Sequence, residues 1–142
     1  MTIEIPKYNA SDSFFENFWL SCPNRITRGS NRDIYEIPGH KDKVLKVSNR
    51  QANLGNWSEI IVYTYSDNKE YLANIFSWSR SGKFLIMERL QPVTFNELKG
   101  HNFPVYLNDK KPENYGRDNS GNIKVLDYGL LDFSQCPLKP FP

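Results

Sequence analysis

Asp109-Lys-Lys111-Pro-Glu-Asn114, followed by Asp127-Tyr128-Gly129, is the part of this chain whose residue types could do chemistry together. Asp109, Asn114 and Asp127 carry short side chains that end in oxygen. The turn Asn119-Ser-Gly121-Asn122 lies between the last two, with strand-like residues on either side. A hairpin folded there brings its ends side by side, so Asn114 opens one strand where Asp127 closes the other. Carboxylate and amide oxygens gathered this way suit Mg²⁺, a hard cation that takes few protein ligands and keeps places for phosphate oxygens. Asp109 is close enough in the chain to reach the same centre, and Lys111 supplies a cation beside a phosphate in motion. Plain turn chemistry is the competing account, because Asp and Asn favour loops for local reasons.

The elements that must hold these residues are short. Met1–Asn9 reads as an extended arm. Ser11–Leu20 reads as a helix with a capping box at Ser13 and Glu16 and an apolar stripe of Phe14, Phe15, Phe18 and Trp19. Strands are predicted at Arg25–Arg28, Asp33–Ile37 and Val44–Val47, with turns at Gly29-Ser30-Asn31 and over Pro38–Asp42. A helix follows over about Asn56–Ser66, then a hairpin of Leu72–Trp78 and Phe84–Met87, then a weak helix near Phe95–Lys99. Leu107–Asn114 reads as a polar loop, Ile123–Leu126 as a strand, and the residues from Ser134 as a loosely tied tail. The pattern predicts an α+β fold.

The stretch from Leu107 to Asn114 and on to Asp127-Tyr-Gly129 resembles the catalytic and metal-binding loops of eukaryotic-type protein kinases. The resemblance implies that Asp109 orients a substrate hydroxyl or accepts its proton, while Asn114 and Asp127 hold Mg²⁺. Upstream, Val44-Leu-Lys46-Val resembles the third-strand lysine motif. Lys46 would then meet the phosphates of ATP, with Glu59 on the following helix as its ion-pair partner. Phe84-Leu-Ile-Met87-Glu88-Arg-Leu90 is similar to the fifth strand and hinge. There Met87 would guard the adenine pocket, and the backbone of Glu88 to Leu90 would bond the base edge. Gly29 and Ser30 fall in the position of the phosphate-covering loop. The layout is similar to that of small kinase-like proteins of bacteriophages and bacteria. With no signal-peptide layout at the N-terminus and few cysteines, the expected location is cytoplasmic, in the host cell if phage-encoded.

The same comparison shows departures. The loop has one glycine, with Arg32 and Asp33 where more are expected, and Leu107-Asn108 replaces the histidine and arginine before the aspartate. The interval from Leu90 to Asp109 is short and few residues follow Gly129. The expectation is therefore one domain, 1–142. It comprises an arm and helix (1–24), a kinase-like N-lobe with an antiparallel sheet and one helix (25–90), a drastically reduced C-lobe with the catalytic and metal loops (91–133) and a tail (134–142).

Each residue also has a plainer reading. Lys46 could be a strand lysine reaching for solvent, and Glu70 competes with Glu59. Gly29 could be a hairpin glycine, and Met87 could be core. The aromatic stripe of the first helix reads as core, or as a cover or dimer face over apolar surface left by the missing lobe. His40 and His101 receive no role, and Arg25, Arg28, Arg32 and Lys41 read as a solvated basic scatter. With 142 residues, 39% hydrophobic and 24% charged, the chain has enough apolar material for a core. A net charge of +2 argues against nucleic-acid binding, no apolar run fits a membrane, and two cysteines make no disulfide framework. The functional expectation is a phosphotransferase that uses ATP and Mg²⁺ on a protein hydroxyl, Ser or Thr before Tyr. The alternative is a weak or inactive kinase-like module that captures a host protein.

Overall fold

Short alternating strands joined by Gly-containing turns build the largest element of the protein. The computed structural model describes residues 3–28, 32–49, 53–104, 111–126, 128 and 138–141. Strands β1 (Arg25–Arg28), β2 (Arg32–Ile37) and β3 (His40–Ser48) pair antiparallel in succession. Strands β4 (Ile75–Trp78) and β5 (Phe84–Glu88) complete a five-stranded sheet in the order β1-β2-β3-β5-β4. The turn over Pro38–Asp42 is shorter than expected. Pro38 and Gly39 alone close it, because Gly39 takes φ 81° and lets Ile37 pair directly with His40. His40 to Asp42 therefore extend β3.

The chain divides into two compact units, Met1–Trp57 with Ile75–Arg89 and Ser58–Asn74 with Leu90–Pro142. The boundary falls within helix α2 (Leu54–Tyr65), which begins two residues earlier than the sequence predicts. In the first unit, helix α1 (Asp12–Leu20) lays Phe15 and Phe18 on Ile37, Leu45, Val47, Phe84 and Ile86, with Cys22 in the same core. These strand residues alternate with outward neighbours, so they share one sheet face. The extended arm is tied along the sheet. Asn9 donates its amide to the Trp78 carbonyl (2.7 Å), and the Ser77 hydroxyl donates to the carbonyl of Pro6 (2.6 Å).

Two expectations for α1 are corrected. Ser11, not Ser13, is the cap: its backbone is extended (φ −61°, ψ 153°) and its Oγ accepts from the amide of Phe14. Ser13 lies inside the helix, and Glu16 instead pairs with Lys83 (2.9 Å). Phe14 leaves the apolar stripe and is 59% exposed, because the helix meets the sheet through Phe15 and Phe18. The reading of Leu72–Trp78 as one strand also changes. Leu72 bridges Val125 in parallel and the Ala73 amide donates to the Val125 carbonyl (2.7 Å), so their backbone serves the second unit.

In that unit, strands β6 (Gln91–Pro92), β8 (Tyr115–Arg117) and β9 (Ile123–Val125) form a small sheet around the expected hairpin. Gly116 is required there, since a Cβ at that position would collide with the Leu90 side chain and the Gln91 carbonyl. Helix α3 (Phe95–Leu98) starts with a capping box between Thr94 and Glu97. Strand β7 (Asn102–Pro104) pairs antiparallel with β10 (Leu138–Pro140). The segment predicted as a loose tail is thus anchored over residues 138–141. The amide of Phe141 donates to the His101 carbonyl (2.8 Å), and its ring is buried edge-on against Phe95 (5.3 Å) and Tyr115 (5.3 Å). Phe103 joins the cluster, 4.8 Å from Tyr115.

The architecture is α+β with a mainly antiparallel sheet and few helices, compatible with the expected kinase-like N-lobe. Among the described residues, no helix is long and apolar enough to cross a membrane. Removing the Phe141 ring should cost about 3–5 kcal/mol, the usual range for a buried phenylalanine cut to alanine. Thermal and urea melts of Phe141→Ala should show that loss, and a melt like that of the unaltered protein would return 138–141 to the status of a loose tail.

Candidate functional site

Lys46 and Met87 lie in the first unit. Lys46 sits in mid-β3, where Ile34 opposes it from β2 and Leu85 from β5. Val44 opposes Met87, so Lys46 and Met87 share a sheet face, opposite the one that carries Leu45, Val47 and Ile86. Lys46 is buried, which does not fit the reading of a strand lysine reaching for solvent, and Met87 is fully buried. Burial of an ammonium group is tolerated only where other groups meet its charge. At the expected hinge, the amide of Arg89 already donates to the Asp42 carbonyl (2.7 Å). Glu88 pairs with Lys43 across the sheet, while Leu90 belongs to the second unit and is buried.

No residue pattern marks the side chain that braces this strand. Asn56, in the first turn of α2, is fully buried. Its Nδ2 donates to the carbonyl oxygens of Gly82 (2.9 Å) and Lys83 (3.0 Å), and more weakly to that of Lys46 (3.4 Å). Its Oδ1 accepts from Nη1 of Arg32 (3.4 Å). Trp57 adds a bond from Nε1 to the Ser81 carbonyl (2.8 Å). The helix start is therefore bolted to the β4–β5 turn, whose Gly82 takes φ 80° and leaves no room for a Cβ beside the Trp57 ring. An asparagine in a helix is ordinary, and only its neighbours in space give this one a role.

Glu59, Asn114 and Lys111 lie in the second unit. Glu59 is fully buried, and its Oε2 accepts from the backbone amide of Tyr128 (3.1 Å). Tyr128 is itself fully buried and donates its hydroxyl to the Ala73 carbonyl (2.8 Å). Glu70, the competitor, is exposed in a 3₁₀ turn over Lys69–Tyr71. Asn114 is buried at the end of another 3₁₀ turn, Pro112–Asn114. Its carbonyl accepts from the amide of Leu126 (2.8 Å), as the hairpin register requires once Tyr115 faces Val125. Lys111 precedes that turn and is exposed. Asp109, Asp127, Gly29 and Ser30 lie outside the described residues. The structure thus brings Asn114 beside Leu126 and Glu59 onto Tyr128, the two residues that flank position 127 in the chain. Among the described residues, no group of three or more His, Cys, Asp or Glu is arranged to hold a metal ion.

Asp118 locks the hairpin. Its Oδ1 accepts from the amides of Ser120 (2.9 Å) and Asn122 (2.8 Å), and its Oδ2 pairs with Lys124 Nζ (3.3 Å). Burial acts to raise its pKa, but the bonds from Asn122, Lys124 and Ser120 outweigh it and hold the carboxyl below its ordinary value of 3.8.

No family model matches the chain. Part of it is similar to CBL-interacting protein kinase 5 of Oryza sativa subsp. japonica, at 36% identity over 72 residues. The match takes in 47% of this chain and 16% of that protein, so the chain covers only a small part of the relative's length. The likeness is thus to part of a protein kinase.

The lowered Asp118 pKa gives a signed expectation. Its contribution to stability is complete above the unfolded value of 3.8 and is lost as pH falls through the lower folded value. Asp118→Asn should melt at a lower temperature than the unaltered protein at pH 7, and the gap should narrow toward pH 3. A gap that is constant across this range would mean that the carboxylate charge does not lock the hairpin.

Proposed function

We propose that this chain is a minimal protein kinase-like phosphotransferase that binds Mg-ATP and moves the γ-phosphoryl group to a protein hydroxyl, Ser or Thr before Tyr. The observation that carries the proposal is the burial of Glu59 with its carboxylate on the amide of Tyr128. A helix glutamate with no site to organise would be cheaper in water, since a buried carboxylate must be fully hydrogen-bonded to be tolerated. The partial kinase relationship and the hairpin that sets Asn114 beside Leu126 support the same reading.

The donor chemistry fits the ligands. Lys46 is a buried ammonium suited to phosphate oxygens, and Asn114 offers an amide oxygen that, with the Asp127 carboxylate, suits Mg²⁺. Bound Mg²⁺ would neutralise phosphate charge as it develops. In this proposal Lys46 holds the phosphates, Glu59 orients the lysine, and Gly29 and Ser30 cover the phosphates. Met87 bounds the adenine pocket, and the backbone of Glu88 and Leu90 meets the base edge. The substrate hydroxyl oxygen attacks the γ-phosphorus, the bond to the β–γ bridging oxygen breaks and ADP leaves. Asp109 takes the hydroxyl proton, and Lys111 offsets charge on the transferring group. Such catalysis is chiefly positioning and charge stabilisation, which a small frame can supply.

Two measurements test the proposal. Transfer of labelled phosphate from ATP, to the chain itself or to a protein acceptor, should occur and should be lost in Asp109→Ala, by about 10²-fold or more for removal of a proton-accepting group. Full transfer by that variant would remove Asp109 from its role. Millimolar ATP should raise the melting temperature only when Mg²⁺ is present, and Asp127→Ala should abolish the rise. Absence of any rise in the unaltered protein would favour the alternative, a kinase-like module that binds a protein without nucleotide.

A further inference from the structure

Phe14 points away from the core beneath α1, and a groove opens beside it. The groove has a volume of about 300 Å³ and lies between the extended arm and the start of the helix. Ile5, Pro6, Ala10 and Phe14 line it with apolar surface, and Glu4 and Lys7 supply its charges. Pro6 is buried, whereas Phe14 is 59% exposed. Glu4 and Lys7 are both exposed, and neither forms an ion pair among the described residues. The acids of α1 do not line the groove. Oδ1 of Asp12 accepts from the amide of Ser81 (3.2 Å), and Glu16 pairs with Lys83 (2.9 Å). On the arm side the shape is held by two bonds already described, from the Ser77 hydroxyl to the Pro6 carbonyl and from the Asn9 amide to the Trp78 carbonyl.

We propose that this groove is the contact face of a two-fold dimer of the chain. Phe14 of each copy enters the groove of the other, and Glu4 of each copy pairs with Lys7 of the other. Two features select a second copy as the occupant. The exposed ring and the groove lie side by side, so one patch supplies both the knob and the hole that an isologous contact needs. The charges of the patch are one acid and one base, each without a partner, and a two-fold rotation sets each sign against its opposite. A strongly acidic partner would meet Glu4 with like charge, and a strongly basic one would meet Lys7 so, which is penalised. An aromatic centre with a charged rim is also the usual composition of an interface between proteins. The whole patch lies within the first unit, and it requires nothing of the nucleotide reading above.

Sedimentation velocity of the full chain, from low to high micromolar concentration, tests the proposal. The unaltered protein should pass from monomer to dimer as concentration rises. Phe14→Ala should weaken the dimer roughly tenfold or more, as loss of a buried aromatic anchor does. Its far-UV circular dichroism should stay unchanged, because Phe14 is not part of the core. Glu4→Lys and Lys7→Glu should each weaken the dimer by placing like charges together, and the two substitutions combined should restore it. An unaltered chain that stays monomeric throughout the range overturns the proposal and leaves the groove to a different protein. Dimerisation of Phe14→Ala at the unaltered strength overturns it as well. So does a double charge variant that associates no better than either single one. Should Phe14→Ala not fold, the charge pair decides, since Glu4 and Lys7 are exposed.

Discussion

A carboxylate removed wholly from water must have its charge met by donors, or it will be protonated or driven out. Glu59 is such a group, and the second unit is arranged around that requirement. Its Oε2 takes the amide of Tyr128, whose hydroxyl reaches the Ala73 carbonyl, while the Ala73 amide reaches the Val125 carbonyl in β9. One residue further, Leu126 donates to Asn114. A chain of bonds therefore runs from α2 through the strand end to the hairpin. Each bond alone contributes only about 0.5–1.5 kcal/mol net, but breaking one leaves a buried polar group without its partner, which costs more than the bond gave. The constraint fixes position more than it adds stability.

The first unit solves a different problem. Its sheet has one face under α1, with Phe15 and Phe18 against Leu45, Val47, Phe84 and Ile86, and that burial is apolar and non-directional. The opposite face carries Lys46 and Arg32 beside the buried Val44, Leu85 and Met87. Orientation there comes from hydrogen bonds of Asn56 and Trp57 to the carbonyls of residues 81–83. Both faces bury apolar side chains, and on the second directional bonds also fix the helix start to the β4–β5 turn.

Where expectation and structure differ, the reason is competition for backbone groups. Leu72 and Ala73 precede an apolar run and read with it as one strand, yet their backbone bonds go to Val125, so β4 begins only at Ile75. The residues from Ser134 look like a tail from their prolines, but β7 had an edge to be covered, and Leu138–Pro140 cover it. Ser13 with Glu16 has the spacing of a capping box, whereas Ser11 has the extended backbone a cap needs. Thr94 with Glu97 has the same spacing and does form the box. Local pattern proposes such features, and the path of the chain on either side selects among them.

The sequence by itself determined the strand meander, the hairpin around Gly121 and the identities of the groups able to bind phosphate and metal. All of these follow from local alternation, turn residues and side-chain chemistry. Only the tertiary structure decided that Glu59 and not Glu70 is buried, that Asn56 braces the strand of Lys46, and that Phe141 closes an aromatic cluster. Each of these depends on which distant residue supplies a donor, an acceptor or a ring. A one-dimensional pattern carries no such information, because the energy of a buried polar or aromatic group is set by neighbours far away in the chain.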